Sequence, residues 1–550
     1  MNTLKRFFKR SILLIAVCVL FACKDKQPNL TSAEVKLNLI PQPNFVKTYI
    51  EKFVINENTV VYYPESNQEL KKQADIVKEI VFEHTGLKLS LEGYFKIPEG
   101  GIILTKSKGN ESFPTDESYQ LEITSQNVLL SATTIKGLFY GIQTFRQLLP
   151  LENNNKTVEV TCLDIKDTPR LPYRGMMLDP ARHFLPAQDI KKYIDAIAMY
   201  KFNTLHLHLS DDQGWRIEIK KYPKLMELAT VRKETDADGI PHGGYYTQEE
   251  LKDIVAYAKE RFIEVIPELD VPGHSQAMLV AYPELTCFPD DFEVRTTPGV
   301  SKNLLCAGNE KVFEFYGNVY KELAPIFTAE KFHIGGDEAP LDHWKECPKC
   351  QKRIKDNNLE SPQHLMSYFF ERISDTLAKH GKTPQIWYEL DVPFYPETST
   401  MYTWRGGLTP KTIEKSREMG YKLICSPGEH AYFDYPQAKG EETCDWMAYL
   451  PLEQVYKLDP GYGLPEDQQA HIIGVEATIW GEYVKDIDRA FYMTFPRAMA
   501  LVEAGWTQMD NRGWDDFKSR LKNNLQILER KGINYREPKE LANDEFYLNN

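Results

Sequence analysis

The chain has no surplus of basic residues, no glycine-rich phosphate loop behind its first barrel-like strand, few cysteines, and no N-terminal apolar run long enough to cross a bilayer. Each shortage excludes something. Lys and Arg number 66 against 79 Asp and Glu, for a net charge of −13. Such a balance repels phosphate backbones and makes nucleic acid a poor partner. The run "SILLIAVCVLFA" falls well short of the ~20 apolar residues that a spanning helix needs. Beyond Cys23 seven cysteines remain, an odd number. "CPKC" at 347–350 looks like half of a zinc ribbon, but no second pair with that spacing follows, and a structural zinc needs four ligands. A local disulfide or two free thiols is the expectation there. No metal and no cofactor are expected.

What is present is enough for large cores: 550 residues, 42% apolar and 12% aromatic, a length that suits two or three domains. Residues 1–22 combine a basic start, "MNTLKRFFKR", with the short apolar run, the make-up of an export signal. "LFAC" at 20–23 resembles a bacterial lipoprotein cleavage site, with Phe21 bulkier than that pattern usually shows. Cleavage before Cys23 removes four bases and no acids, taking the net charge to −17. More than one acyl chain on Cys23 anchors a protein stably. The expectation is a membrane-anchored lipoprotein of the cell envelope, in the outer membrane of a Gram-negative bacterium, with residues 23–35 as a polar tether. An ordinary secreted signal with an incidental Cys is the alternative.

Residues 36–167 read as a smaller α+β domain. "QLEITSQNVLLSA" alternates and breaks at "SQN", as a hairpin does, and "TIKGLFYGIQTFRQLL" has helical spacing. From 168 to 550 the texture changes. Eight short apolar runs alternate with amphipathic segments such as "AQDIKKYIDAIAMYK" and "TQEELKDIVAYAKERF". The runs are "YRGMMLDPAR", "FNTLHLHLSDD", "FIEVIPELDVPGH", "KFHIGGDE", "TPQIWYEL", "TMYTWRGG", "YKLICSPGEH" and "HIIGVEATIWGE". This pattern predicts an α/β fold, a (β/α)8 TIM barrel with a C-terminal helical end, whose site lies where the strands finish. An open doubly wound sheet competes, but usually brings the missing phosphate loop.

The runs end in polar residues. His206 and His208 share one strand face with Ser210, directed to the barrel interior. They suit internal hydrogen bonding, with a metallohydrolase site as the alternative. Asp211, Asp270 and His274 form a candidate relay to Glu338, because burial near other carboxylates raises an acid toward working pH. Trp387, Trp404, Trp446 and Trp480, beside Tyr432, Asp434 and Glu482, suggest a wall for stacking sugar rings. Asp337 and Glu338 pose a puzzle. Paired glycosidase carboxylates face each other across the scissile bond at about 5–5.5 or 6.5–9.5 Å, whereas neighbours leaving a strand diverge.

"HIGGDE", "LDPARHF", "HLHLSDDQGW", "DVPGH", "IWGE" and the Tyr-Phe-Asp at 432–434 together resemble the β-N-acetylhexosaminidases of glycoside hydrolase family 20, in that family's order from residue 170 to about 510. The region before it resembles the family's N-terminal α/β domain. The resemblance implies substrate-assisted retention, with Glu338 as general acid/base and Asp337 holding the substrate's acetamido group. It also implies that Tyr432 donates to the acetamido oxygen and that Trp387, Trp404 and Trp480 enclose the group. Arg182, Glu482 and Asp434 then grip the outer hydroxyls of one terminal sugar. The implied activity is exo-acting release of N-acetylglucosamine or N-acetylgalactosamine from a glycan partner. Three other readings stay open at this point: a lacto-N-biosidase-like member with a wider pocket, a metal-dependent amidohydrolase, and a non-catalytic glycan-binding lipoprotein.

Overall fold

A computed structural model describes residues 30–109, 113–151, 157–441 and 444–541. The export signal, Cys23 and the first part of the tether lie outside the described residues. The rest of the tether is not loose. Ala33 N–H donates to Thr48 O at 3.1 Å and Ile50 N–H to Thr31 O at 3.0 Å. The N-terminal domain therefore begins a few residues before position 36, the boundary that composition suggests.

That domain is a seven-stranded mixed sheet running from Phe45 to Asp167, with the helices Gln68–Thr85 and Ile135–Leu148 packed on it. The predicted hairpin is there: Tyr119–Ile123 pairs antiparallel with Asn127–Ala132. Alternation explains it, since Leu121, Ile123, Val128 and Leu130 all turn into the core. The second helix starts where the Thr134 side chain accepts from Gly137 N–H at 3.0 Å.

Eight parallel strands then close into a barrel in chain order: Tyr173–Leu178, Thr204–His208, Glu264–Glu268, Lys331–His333, Thr383–Trp387, Thr400–Thr403, Lys422–Cys425 and Ile472–Ile479. Closure is the register of the eighth strand on the first, Gly474 against Tyr173 through Ile479 against Leu178. All eight runs read from the sequence are barrel strands. The C-terminal helices Arg497–Trp506 and Trp514–Arg530 lock the barrel to the first domain. Arg520 pairs with buried Glu503 and donates to Leu39 O at 2.6 Å, and Trp506 Nε1–H donates to Asp167 at 3.0 Å.

The barrel interior departs from the usual branched aliphatic layers. His206, His208, Glu268, His333 and Glu476 are all essentially buried within it. Glu268 sits at the centre. Its Oε1 accepts from Trp387 Nε1–H and lies beside His333 Nδ1, each at 2.8 Å, while its Oε2 meets His208 Nδ1 and lies 3.2 Å from His206 Nε2. Burial alone favours a neutral Glu268, yet the surrounding histidines hold it well below the usual carboxylate range. Burial likewise opposes a charged His206, but Glu476 and Glu268 raise it to about 9. Breaking a buried charge network by removing one partner typically costs about 3–5 kcal/mol. Glu268→Gln is therefore expected to lose stability on that scale at neutral pH, read as a lowered urea midpoint with an unchanged m-value.

Candidate active site

Six of the eight strand ends contribute to one cavity of about 320 Å3 at the C-terminal mouth of the barrel. Its lining includes Arg182 from after the first strand, His274 from after the third, and Asp337 and Glu338 from after the fourth. Trp404 follows the sixth strand, Tyr432 and Asp434 the seventh, and Trp480 and Glu482 the eighth. Trp446, 53% exposed, stands at the rim of the same cavity.

The local chain explains how two neighbouring acids serve one cavity. The fourth strand ends at His333, and "IGGDE" leaves it in non-extended conformations: Gly335, Gly336 and Glu338 have φ of 65°, 100° and 51°. The alternation that would separate Asp337 and Glu338 no longer applies. Both glycines are sterically required. A Cβ on Gly335 would lie 1.8 Å from Asp270 Oδ1, and one on Gly336 2.7 Å from the Phe370 ring. A left-handed conformation at a residue with a side chain costs on the order of 1–3 kcal/mol. Glu338 adopts it, as does His274 with φ of 46°.

The residues read as a relay lie together. Asp211 Oδ2 lies 2.7 Å from both Arg182 Nη2 and His208 Nε2, and its Oδ1 is 3.2 Å from His274 Nδ1. The other ring nitrogen, His274 Nε2, lies 3.7 Å from Asp337 Oδ2 and 3.7 Å from Glu338 Oε2. Burial disfavours a charged His274, but the Asp211 carboxylate outweighs it and raises the imidazole well above its ordinary range. The His274 imidazole, 3.7 Å away, in turn holds Glu338 below the ordinary glutamate value. Asp337 goes the other way. Burial, reinforced by the charges of Glu338 and Glu268, raises it to about 6 despite the opposing charge of His274. Asp270 serves Asp337 rather than Glu338: its Oδ1 accepts Gly336 N–H at 3.0 Å, and burial with the nearby Asp337 charge raises it well above the aspartate range.

At the closed end Arg182 is fixed before any ligand arrives. Its Nη1 is 3.1 Å from Asp179 Oδ2, and its guanidinium lies 5.0 Å over the Trp480 ring. Asp179 also accepts Gly481 N–H at 2.8 Å, so it ties the first and eighth strand ends together. Burial raises both Asp434 and Glu482, with Arg182 opposing the rise at Glu482. Five buried atoms around this cavity have no hydrogen-bond partner among the described residues: Arg182 Nε, His274 Nε2, Asp337 Oδ1, Asp434 Oδ1 and Glu482 Oε2. Buried polar groups are rarely left so. Their convergence describes a ligand rich in hydroxyl and amide groups.

Two readings need adjusting. Trp387 is not part of the cavity wall: it is 1% exposed and packs behind Trp480, ring centroids 5.9 Å apart, with its N–H given to Glu268. The exposed wall is Trp404, Trp480 and Trp446. Cys347 and Cys350 are free thiols, one of the two expected states, but they are not isolated, because Cys287 and Cys306 join them. Sequence reasoning also missed Asp179, Glu268, Tyr435 and the loop residues Gly299 and Val300. Tyr435, Gly299 and Val300 line the cavity. Asp179 lay within a quoted motif, next to the Arg182 it holds, whereas the loop residues carry no sequence signal at all.

With this geometry in hand, likeness to known proteins is informative. Residues 171–509 match the glycosyl hydrolase family 20 catalytic domain, and residues 36–168 match domain 2 of that family. The chain belongs to glycosyl hydrolase family 20. A beta-hexosaminidase of Akkermansia muciniphila is 44% identical over 422 residues, covering 76% of this chain and 85% of its own length. One from Porphyromonas gingivalis is 39% identical over 535 residues, 94% of this chain and 67% of the relative. Among solved structures, Streptomyces plicatus N-acetyl-beta-hexosaminidase in complex with Thio-NAglucal superposes with a TM-score of 0.81 at 33% identity, covering 92% of this chain and 98% of that one.

Proposed function

We propose that the protein is an exo-acting, retaining β-N-acetylhexosaminidase that releases single terminal N-acetylhexosamine residues from glycans. The observation that carries this is the placement of two neighbouring acids, Asp337 and Glu338, on one imidazole at the open side of a pocket whose far end is closed. Arg182, Asp434 and Glu482 are buried or nearly so, whereas the Glu338 side chain is 39% exposed. The sugar's outer hydroxyls meet the closed end, and the leaving group projects past Glu338.

The chemistry divides between the two acids. The substrate's acetamido oxygen attacks C1 as the glycosidic C1–O bond breaks, and the Glu338 carboxyl gives its proton to the departing oxygen. Asp337 accepts the acetamido N–H and offsets the positive charge of the oxazolinium ion. Burial and the nearby Asp337 charge raise Tyr432 well above the usual phenol range, so it keeps the proton with which it donates to the acetamido oxygen. Water then attacks C1 from the face of the departed group, and Glu338 takes its proton. Two inversions give retention without an enzymic nucleophile. Substrate covering the half-exposed Glu338 side chain strengthens burial there and raises the carboxyl toward its protonated form.

The alternatives fit less well. Both His208 ring nitrogens are engaged, by Glu268 and Asp211, and His206 lies between the Glu476 and Glu268 carboxylates, so the histidines of that strand are matched by buried acids within the barrel. A disaccharide-releasing pocket needs more room beyond Arg182 than a cavity of about 320 Å3 closed by buried acids supplies. A non-catalytic binder has no use for the relay to Glu338. Assay of aryl and natural N-acetylhexosaminides, with the anomer followed by NMR, tests the reading. Expected are cleavage of N-acetylhexosaminides alone, initial release of the β-anomer, and inhibition by a thiazoline. Inversion at C1 would overturn it.

The basic and apolar segments before "LFAC" support a further part of the reading: the enzyme is a lipoprotein held in the cell envelope through Cys23, in the outer membrane of a Gram-negative cell. Labelled palmitate should enter the wild-type chain and not Cys23→Ser, and equal labelling of both would exclude the anchor.

A further inference from the structure

The third-strand loop carries Cys287 and Cys306 nineteen residues apart, and an antiparallel bridge between Thr286 and Leu305 brings them side by side. The fourth-strand loop carries Cys347, which caps the helix Pro348–Asp356, and Cys350 in that helix's first turn. The two loops meet so closely that a Cβ on Gly308 would lie 2.3 Å from the Lys349 carbonyl carbon and 2.5 Å from Cys350 N. Trp344 Nε1–H also ties them, donating to Leu305 O at 2.8 Å.

All four sulfurs lie within 4.8 Å of one another. Cys287 is 8% exposed, Cys347 1%, and Cys306 and Cys350 not at all. The Sγ–Sγ distances are 3.7 Å for 287–350, 3.8 Å for 306–347 and 3.6 Å for 306–350. A disulfide needs about 2.05 Å. Four thiolates about 2.3 Å from one tetrahedral ion, by contrast, are about 3.8 Å apart along each edge. The measured spacings are those of the second geometry. The surroundings suit it too. Gly308 N–H hydrogen-bonds the Cys306 sulfur, and "HWKECPKCQKRIK" sets Lys345, Lys349, Lys352 and Arg353 next to the pair in sequence in an otherwise acidic chain. Four thiolates on a divalent ion leave a net charge of −2, and of that basic run Lys349 has no ion pair among the described residues, whereas Lys345, Lys352 and Arg353 pair with Asp342, Asp356 and Glu310.

We propose that Cys287, Cys306, Cys347 and Cys350 bind one zinc ion in a closed tetrathiolate site. The ion has no open position for catalysis and no route to the sugar pocket. Its work is mechanical: it fastens the loop that supplies His274, Gly299 and Val300 to the loop that supplies Asp337 and Glu338. Zinc thereby fixes the distance between the relay imidazole and the two acids. The four thiols give up their protons on binding, so occupancy rises with pH. The absence of a second downstream pair after "CPKC" hid the site from sequence reading, because its other half lies upstream in a different loop.

The test uses the exported protein, purified without chelator. Elemental analysis is expected to find one zinc per chain, and zinc-edge X-ray absorption four sulfurs at about 2.3 Å. After denaturation, an alkylating reagent should label all four cysteines once a chelator is present. Cys306→Ser should drop the zinc content severalfold, while Cys162→Ser, remote in the N-terminal sheet, keeps it. The proposal is overturned if the wild-type chain holds well under one zinc, if iron takes its place, or if peptide mapping shows any of the four in a disulfide. The wild-type measurements stand even if the Ser variant fails to fold, and none of them depends on the glycosidase reading.

Discussion

Glu338→Gln is expected to lower kcat by roughly 10²–10⁴-fold on N-acetylhexosaminides with alkyl or sugar leaving groups, the usual contribution of general acid catalysis. The loss should shrink steeply as the leaving group becomes more acidic, because a nitrophenolate departs without a proton. Deglycosylation also uses Glu338, as the base that activates water, so even activated substrates should keep a residual defect. The fold should survive. Glu338 is half open to solvent, and its backbone N–H partner, Glu389 Oε1 at 3.2 Å, is unaffected by the change. Its backbone, with a left-handed φ of 51°, is the same for Gln as for Glu. KM for activated substrates should change little, since the closed-end contacts from Arg182, Asp434 and Glu482 remain. Steady-state rates over a series of leaving groups check this. A uniform loss, independent of leaving-group acidity, would assign Glu338 a binding role instead.

The contrast between what the sequence tells and what it hides is physical. Strand runs are legible because each is a short apolar segment bounded by turn chemistry and followed by a helical period, and all eight were found that way. The strand-end acids and tryptophans are legible for the same reason: a polar residue after an apolar run in a barrel points at the mouth. The buried His–Glu network is half legible. The alternation in "LHLHL" puts His206 and His208 inward, but their partners Glu268, His333 and Glu476 come from three other strands, and only closure of the barrel brings them together. Trp387 was misplaced because its strand register leads to the mouth while its indole N–H is taken by Glu268 beneath it. The four-cysteine cluster is invisible in spacing, since loops of different strands supply it.

Asp337→Asn is expected to cost as much as the loss of the acid, and its pH signature separates the two roles. In the free enzyme Asp337 titrates at about 6, raised by burial and by the nearby Glu338 and Glu268 charges. Above that value it is a carboxylate able to accept the acetamido N–H and to balance the oxazolinium charge. Below it the group is neutral and does neither. The kcat/KM profile, which reports the free enzyme, should therefore fall with decreasing pH through about 6. Asn holds no charge at any pH, so the variant should lose roughly 10²–10³-fold, the scale of removing one preorganised electrostatic partner, and its remaining activity should show no acid limb near 6. A neutral amide also turns an N–H toward the acetamido N–H in one of its two orientations, which raises KM for N-acetyl substrates. The sugar's other hydroxyls are still gripped, so binding should survive in weakened form. If Asp337→Asn keeps the same acid limb as wild type, the group titrating there is another, and the role of bracing the acetamido group passes from Asp337.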